Sequence, residues 1–235
     1  MRGFSVCAAL AVVLFAAGCG GGGGGGGGGT QATGEATKSA DAVVADALKA
    51  AQAASSVHIS GQGTQDGKPI GIDLTLVRGK GATGSISLHG AKIDLVVIGH
   101  SVYLRAGTAF WKQVGGGNAM AGQLFANKWL KVPTNDAQLG SFANLTNANS
   151  FFKMLNKHGK LENKGVTTYK GQSVVAIDDA TEGGTLYVAA SGTPYPAAVV
   201  KAKGSNSGAI SFDNWNQSVT LTPPKGALDF SKLGG

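Results

Sequence analysis

From Val57 onward, the apolar residues of this sequence recur at every second position, which is the period of a β-strand with one buried face. One series of such runs extends from Val57 to Arg105, and a second extends from Val166 to Thr222. Short turns, for example Asp66-Gly67 and His89-Gly90, separate neighbouring runs. Strands joined by such short turns are antiparallel neighbours, because no crossover helix fits between them. The sequence therefore predicts two antiparallel meanders, with about ten or eleven strands in all.

Helical patterns are few. Ser39 is predicted to cap a helix over residues 40–54, with Val44, Ala47, Leu48 and Ala51 on one side. A second helix is predicted over residues 147–158, where Phe151, Met154 and Leu155 share a face that Phe152 flanks, and Gly159 ends it.

The remaining segments are less regular. Residues 110–114 and 129–132 are predicted to be short strands, residues 218–222 the last strand of the second meander, and residues 229–233 a last turn. The stretch 115–128, which contains Met120, Leu124 and Phe125, is predicted to be a short helix or a mobile flap.

These patterns leave more apolar sheet surface than the predicted helices can cover. An antiparallel sheet with one apolar face needs a partner for that face, and a helix built mostly of alanine covers little area. The sequence therefore predicts an α+β fold in which the sheet closes on itself or curls around a space.

The first 38 residues differ in character from the rest. Arg2 precedes an uncharged stretch from Gly3 to Ala17, which is too short to span a bilayer and is typical of an export signal. Ala16-Ala17-Gly18-Cys19 resembles the bacterial lipobox, in which the signal is cut before the cysteine and the cysteine is acylated; an ordinary secreted protein cut elsewhere is the alternative. Residues 1–19 are thus the predicted signal, 20–38 a flexible tether that begins with ten glycines, and 39–235 the folded domain.

Composition excludes several classes of function. Both cysteines lie within the first 19 residues, so the predicted domain has no thiolate metal site, disulfide or cysteine nucleophile. The net charge of +7 comes from dispersed residues, which argues against nucleic-acid binding. No G-x-S-x-G element is present and no serine is paired with a histidine and a carboxylate, so we expect no enzymatic activity, no metal and no cofactor.

Three patterns have alternative interpretations. Residues 79–84 match G-x-G-x-x-G, but a strand pattern follows them, so a hairpin turn is favoured over dinucleotide binding. Asp178, Asp179 and Glu182 could bind a cation but are typical of a hairpin loop. The three tryptophans, Trp111, Trp129 and Trp215, could stack on a ligand, although packing within the sheet is more common.

Several short sequence segments follow one another in a characteristic order. They are the lipobox, the Ser39-capped helix, Ser55-Ser56-Val57-His58-Ile59, Gly99-His100-Ser-Val-Tyr-Leu104, Phe110-Trp111, Lys128-Trp129-Leu-Lys-Val132, Gly183-Gly184-Thr-Leu-Tyr-Val188 and Tyr195-Pro196. Together they resemble actinobacterial lipoproteins of the LppX/LprAFG type over most of residues 39–233. This resemblance implies a curved, LolA-like half-barrel of antiparallel strands, with helices on the concave face that enclose an apolar cavity. It implies binding of lipids or acylated glycolipids and their carriage within the cell envelope, and it brings no catalytic residues.

The strand period indicates which residues would line that cavity. We expect these to be Ile70, Ile72, Leu74, Leu76, Ile86, Leu88, Ile93, Leu95, Val97, Val102, Leu104, Leu186 and Val188, with Val219 and Leu221 as weaker candidates. A solid core built from the same residues is the alternative, and a non-transporting envelope sensor or assembly lipoprotein is the function that would accompany it.

The expected partners are a lipid ligand, the membrane through acylated Cys19, and an envelope transporter. The expected location is the outer face of the cytoplasmic membrane.

Overall fold

Glycine-containing two-residue turns at residues 66–67, 89–90, 99–100 and 170–171 join successive antiparallel strands. The computed structural model describes residues 34–136, 139–146, 148, 152, 158–202, 204 and 207–232, which all belong to one unit of the chain. Its helices are α1 (Ala40–Ala53), α2 (Thr108–Val114) and α3 (Ala119–Phe125), with 3₁₀ helices at Gly34–Thr37, Gly140–Thr146 and Phe230–Lys232. Its strands are β1 (Ser56–Gln65), β2 (Lys68–Val77), β3 (Gly81–Leu88), β4 (Ala91–Ile98), β5 (Ser101–Ala106), β6 (Leu130–Pro133), β7 (Leu161–Tyr169), β8 (Gln172–Asp179), β9 (Gly184–Ala189), β10 (Pro196–Lys201), β11 (Gly208–Asp213) and β12 (Leu228–Asp229).

The strands form one open sheet in the order β12-β6-β5-β4-β3-β2-β1-β11-β10-β9-β8-β7. Both predicted meanders are present, and they meet in the middle of the sheet because β1 pairs with β11. All neighbouring strands are antiparallel except β12, which lies parallel to β6 at one edge. The predicted antiparallel sheet is therefore confirmed, and the described residues contribute twelve strands to it rather than ten or eleven.

Helix α1 begins as the sequence predicts. The Ser39 hydroxyl accepts a hydrogen bond from the backbone N–H of Ala42 at 3.3 Å, which satisfies one of the free amide groups of the first turn. Its buried residues are Ala40, Val43, Val44, Ala47, Leu48 and Ala51. They join the same apolar cluster as the sheet, so α1 covers part of one sheet face.

The boundary of the predicted tether needs correction. Gly34–Thr37 forms a 3₁₀ helix in which Glu35 is buried. The Asn163 side chain of β7 donates a hydrogen bond to the Lys38 carbonyl at 2.9 Å, and the Lys38 ammonium lies 2.6 Å from a Glu35 carboxylate oxygen. The ordered structure therefore begins no later than Gly34, ahead of the predicted start at residue 39.

Two predicted strands are wrong. Residues 110–114 lie in helix α2, where both Phe110 and Trp111 are buried; in a strand, adjacent side chains would point to opposite faces. Residues 218–222 belong to no strand of the described sheet. The stretch 115–128 contains the short helix α3, one of the two structures expected for it.

The predicted helix over residues 147–158, with Phe151, Met154 and Leu155, lies largely outside the described residues. Ala148 and Phe152 are described and have helical conformation. Phe152 is fully buried, with its ring centroid 5.7 Å from that of Phe212 and 5.8 Å from that of Trp215. The 3₁₀ helix Phe230–Lys232 agrees with the predicted last turn.

Candidate functional site

The strand register places the predicted cavity residues of the first meander on one face of the sheet, which we call the inner face. They form cross-strand rows, since residues paired in register point to the same side of a sheet. The central row contains Leu74, Gly84, Leu95, Leu104 and Leu130. The row beside it on the side of the β2–β3 turn contains Leu76, Ala82, Val97, Val102 and Val132. The row on the side of the β1–β2 turn contains Ile72, Ile86, Ile93 and Ala106. Ile70 pairs with Leu88 at the end of the face.

The second meander continues the same rows. Gly61 of β1 pairs with both Ile72 and Ile210, and Ile210 is followed across the sheet by Val199 and Leu186. Val188, the remaining candidate, pairs with Val175 on β8 and is fully buried. All thirteen candidates thus lie on one face, as their alternation with polar residues predicts.

The middle of the inner face is closed to solvent. Leu74, Leu95 and Leu104 have no exposed surface, and Leu76 has 1%. An internal space large enough for water would leave its lining side chains with measurable accessible surface. Protein atoms therefore surround these residues on all sides.

The end of the inner face near the β1–β2 and β3–β4 turns is less completely covered. Six apolar residues there are only partly buried and are neighbours through the register: Ile70, Ile72, Leu88, Leu186, Val199 and Ile210. We call this set the inner strip. It extends from β9 to β3, which is five strand spacings, or about 24 Å.

The cover of the inner face is built from short elements. Helix α1 contacts β7, β8 and β10, the 3₁₀ helix Gly140–Thr146 contacts β3 and β5, and α2 packs against α3. Phe110 and Trp111 of α2 pack edge to face at 4.9 Å, and Phe110 lies 6.2 Å from Phe142. These elements bury the middle rows and leave the inner strip partly exposed.

A cleft of about 480 Å³ opens at the opposite end of the sheet. Val77, Gly81 and Val97 line its sheet side, and Ala143 and Ala148 line its other side. Arg78 and Lys80 of the β2–β3 turn also border the cleft, and the Arg78 guanidinium donates a hydrogen bond to the Gln52 carbonyl of α1 at 3.1 Å. The cleft combines an apolar wall with two cationic side chains at its rim.

The flap candidates lie in α3. Met120 is 75% exposed and Leu124 is 52% exposed, whereas Phe125 is partly buried with its ring 5.9 Å from Trp111. One face of α3 is therefore anchored and another is open to solvent.

The hairpin-turn interpretation of residues 79–84 is confirmed, because this segment forms the β2–β3 turn and the start of β3, and no helix follows it. The hairpin-loop interpretation of Asp179 is confirmed as well. Its carboxylate accepts hydrogen bonds from the backbone N–H groups of Glu182, Gly159 and Thr181, each at 2.9 Å. The bond from Glu182 contributes most to the lowered pKa of Asp179.

The tryptophans are packed within the fold. Trp111 is 2% exposed and its indole N–H donates to the Ala106 carbonyl at 3.1 Å. Trp129 lies under the Arg105 guanidinium at 4.9 Å, and Trp215 stacks on Tyr195 at 4.4 Å. The packing alternative is therefore the one that the structure supports.

One polar network was not predicted. On the outer face, His58 Nδ1 lies 2.7 Å from an Asp213 carboxylate oxygen and Nε2 lies 3.1 Å from an Asp73 oxygen. Partial burial lowers the pKa of His58, but the hydrogen bonds to Asp73 and Asp213 outweigh it, so that the pKa is raised. No local pattern reveals this network, because the partners are 15 and 155 residues away from His58 in the sequence.

Two features are absent from the described residues. No helix in this part of the chain is long and apolar enough to cross a membrane. No group of three or more histidine, aspartate or glutamate side chains there is arranged to hold a metal ion.

Comparison with known proteins adds to the geometry. No protein-family model and no curated protein matches the sequence. Among solved structures, LprF from Mycobacterium bovis matches 80% of this chain and 97% of its own, with 16% sequence identity and a TM-score of 0.56. The lipoprotein LppX from Mycobacterium tuberculosis matches 77% of this chain and 99% of its own, with 16% identity and a TM-score of 0.49.

At this identity the likeness to LprF concerns the fold. It confirms the predicted fold class, an open curved antiparallel sheet with helices against one face. The chain therefore has the LprF fold, as its resemblance to the LppX/LprAFG-type lipoproteins implies.

Proposed function

We propose that this protein is a lipid-binding lipoprotein of the cell envelope. Acylated Cys19 anchors it to the outer face of the cytoplasmic membrane, and the preceding residues are removed as the signal. The inner face binds an acyl chain of a lipid or acylated glycolipid and carries it within the envelope, with an envelope transporter as donor or acceptor. The observation that supports this proposal is the inner strip, a continuous apolar surface that the short helices leave partly exposed.

The binding energy of such a ligand comes from apolar burial. Each methylene removed from water contributes about 0.8 kcal/mol, so a long acyl chain binds without any specific polar contact. We therefore expect broad tolerance of acyl-chain length. We expect the acyl chain to lie along the inner strip, whereas the middle rows accept one only if Phe152 and the other covering residues move away.

Two adjacent residues on β10 provide a matched test. Val199 belongs to the inner strip and pairs with Ile210, whereas Val200 points to the outer face and pairs with Ala209. Both are valines and both are partly buried. A buried charge excludes an apolar ligand. Val199→Asp should therefore abolish lipid binding, and Val200→Asp should leave it intact.

The measurement is chloroform extraction of the purified protein followed by mass spectrometry of the lipid. Urea unfolding of both variants checks that the two substitutions cost similar stability. Stoichiometric lipid on the wild type and on Val200→Asp, but not on Val199→Asp, is the expected result. Equal lipid on both variants would contradict the assignment of the inner strip.

A second function is favoured by the closed middle of the inner face. With Leu74, Leu95 and Leu104 fully buried, the protein could be a non-transporting sensor or assembly lipoprotein with a filled core. A stably folded wild type that carries no lipid would support this alternative. Val97→Trp adds a test at the cleft: it should block lipid uptake with little loss of stability if the cleft admits lipid, and overpack and destabilise a filled core.

The anchor is tested separately. Cys19→Ser should release the protein from the membrane into the medium. Continued association of this variant with the membrane would contradict the lipobox interpretation.

A further inference from the structure

The connection between β5 and β6 is a helical hairpin with one anchored side and one open side. Its two helices, α2 and α3, are joined at Gly115–Asn118. Trp111 anchors α2 through its hydrogen bond to the Ala106 carbonyl, and Phe125 anchors the end of α3 against Trp111. These contacts fix the hairpin on the protein, so the exposure of its outer side is not caused by a loose segment.

Gly122 determines which side of α3 faces outward. A β-carbon at this position would lie 3.0 Å from the Thr108 carbonyl oxygen and 3.3 Å from the Lys112 β-carbon, so α3 packs against α2 through its glycine. Residues two positions away from Gly122 on a helix lie on nearly the opposite side. Met120 and Leu124 therefore project together into solvent, one helical turn apart.

These two residues are unusual within the protein. The large apolar side chains exposed in the described residues are Met120, Leu124 and Val166, with 75%, 52% and 48% exposure. Two of the three thus stand side by side on one short helix. Clustered exposed apolar residues of this kind mark an interaction surface.

The charged residues near this pair in the sequence have one sign. Residues 95–135 contain no aspartate or glutamate but contain Arg105, Lys112, Lys128 and Lys131. Arg105 forms an ion pair with Asp94 and Lys131 with Asp229. Lys112 and Lys128, which flank α3 in the sequence, are exposed, and no ion pair of theirs is found among the described residues.

An apolar tip that exposed lysines flank in the sequence is complementary to a bilayer that contains anionic lipids. The acyl chains accept the apolar side chains, and the phosphate groups attract the ammonium groups. We propose that the α2–α3 hairpin docks onto the surface of an anionic bilayer, with Met120 and Leu124 in the acyl region and Lys112 and Lys128 at the phosphates. This contact is additional to the proposed lipid anchor and does not involve the inner strip.

The position of the hairpin distinguishes docking from simple tethering. The described chain begins beside β7, to which Lys38 is hydrogen-bonded through Asn163, and β7 is one edge strand of the sheet. The hairpin joins β5 and β6, near the other edge. A protein that is only tethered would bring β7 at least as close to the membrane as α3.

Environment-sensitive fluorophores test this prediction. The mature chain, from which Cys7 is removed with the signal and in which acylation blocks the Cys19 thiol, carries a single labelled cysteine in place of Met120, Leu124 or Val166. Val166 is the matched control, because it is an exposed apolar residue on β7. Each protein is studied on vesicles of phosphatidylcholine with and without phosphatidylglycerol, and accessibility to an aqueous quencher is measured.

We expect the labels at positions 120 and 124 to shift to the blue and to become protected on phosphatidylglycerol vesicles, while the label at 166 remains accessible. Lys112→Gln and Lys128→Gln should each lower the ratio of docked to undocked protein about fivefold. A higher salt concentration should also lower this ratio, because it screens the attraction between the lysines and the phosphates. Equal accessibility at positions 120 and 166 would overturn the proposal. So would protection without vesicles that grows with protein concentration, since a second copy would then cover the tip.

Failure of the anchor is distinguishable from failure of docking. A Cys19→Ser chain produced from residue 19 onward lacks both the acyl anchor and the signal, so docking predicts residual, salt-sensitive binding of this variant to phosphatidylglycerol vesicles. Adding Met120→Ser and Leu124→Ser to the same variant should abolish this residual binding to phosphatidylglycerol vesicles. Both side chains are more than half exposed, so these substitutions should leave the urea midpoint unchanged.

Discussion

Replacement of Phe152 by alanine tests how tightly the cover is packed on the inner face. Its side chain is fully buried, and its ring lies 5.7 Å from Phe212 and 5.8 Å from Trp215. Truncating a buried phenylalanine costs about 3–5 kcal/mol, and each aromatic pair contributes about 0.5–1.5 kcal/mol beyond the buried area. With two ring partners lost, we expect Phe152→Ala to lower the free energy of unfolding by about 4 kcal/mol.

The assay is urea unfolding followed by circular dichroism, with the dependence on urea fitted separately for each protein. Phe125→Ala is the control, because Phe125 is only partly buried with Trp111 at 5.9 Å; we expect it to cost roughly half as much. Phe152→Leu should cost about 1–2 kcal/mol, and it provides a measurable value if the alanine variant does not fold. A cost for Phe152→Ala no larger than that for Phe125→Ala would refute the enclosed position of the ring.

Three other features are each tested by substitution. Folding raises the pKa of His58 above 6.5, because its hydrogen bonds to two aspartates outweigh the effect of burial. The contribution of His58 to stability is therefore present below pH 6.5 and is lost as the pH rises through the folded pKa. The urea midpoint should fall over that pH range, and His58→Gln should remove this part of its pH dependence. Ser39→Ala should cost about 1 kcal/mol in the same assay, through loss of the α1 cap. Gly84→Ala should cost at least about 3 kcal/mol, because φ is +144° and the new β-carbon would lie 2.0 Å from the Asp73 carbonyl oxygen. Gly90→Ala is the control and should cost about 1 kcal/mol, because φ is +86° and nothing lies within 4 Å of the new β-carbon. Equal costs for the two variants would contradict the close approach at Gly84.

The sequence predicts the facing of the strands better than their pairing. Alternation of apolar and polar residues places Leu74, Leu95 and Leu104 on one face, and the register agrees. Val219 and Leu221 follow the same alternation and are partly buried between exposed neighbours, but no strand of the described sheet pairs with that segment. Alternation reports which side of the chain is buried, whereas pairing depends on which strand edges remain free elsewhere.

Helix α2 shows a second limit. Residues 110–114 carry two large aromatic residues, which favour strands in local statistics. In the protein, both Phe110 and Trp111 turn towards the same apolar cluster, which a helix permits and a strand does not. Tertiary packing decides the conformation here.

For the candidate site, too, the sequence predicts one property and not another. Which residues belong to the inner face follows from period and register. The degree to which α1 and Phe152 cover it depends on distant segments, and no pattern within a single strand reveals that Ile72 is partly exposed while Leu74 is not.

The pairing of β1 with β11 joins segments that are far apart along the chain. His58 and Asp213 face each other across this pair although 155 residues separate them. Closing so long a loop costs conformational entropy that only the finished contact repays, and such contacts slow folding. The two meanders can each form from local hairpins, so we expect the pairing of β1 with β11 to form last.

Until residue 213 is available, β1 therefore has a row of unpaired backbone N–H and C=O groups along one side. An exposed strand edge of this length is a template for pairing with other chains. A truncation that removes β11 would leave most of the core residues in place and yet produce an aggregation-prone protein, because the last long strand to be synthesised is the one that protects the first.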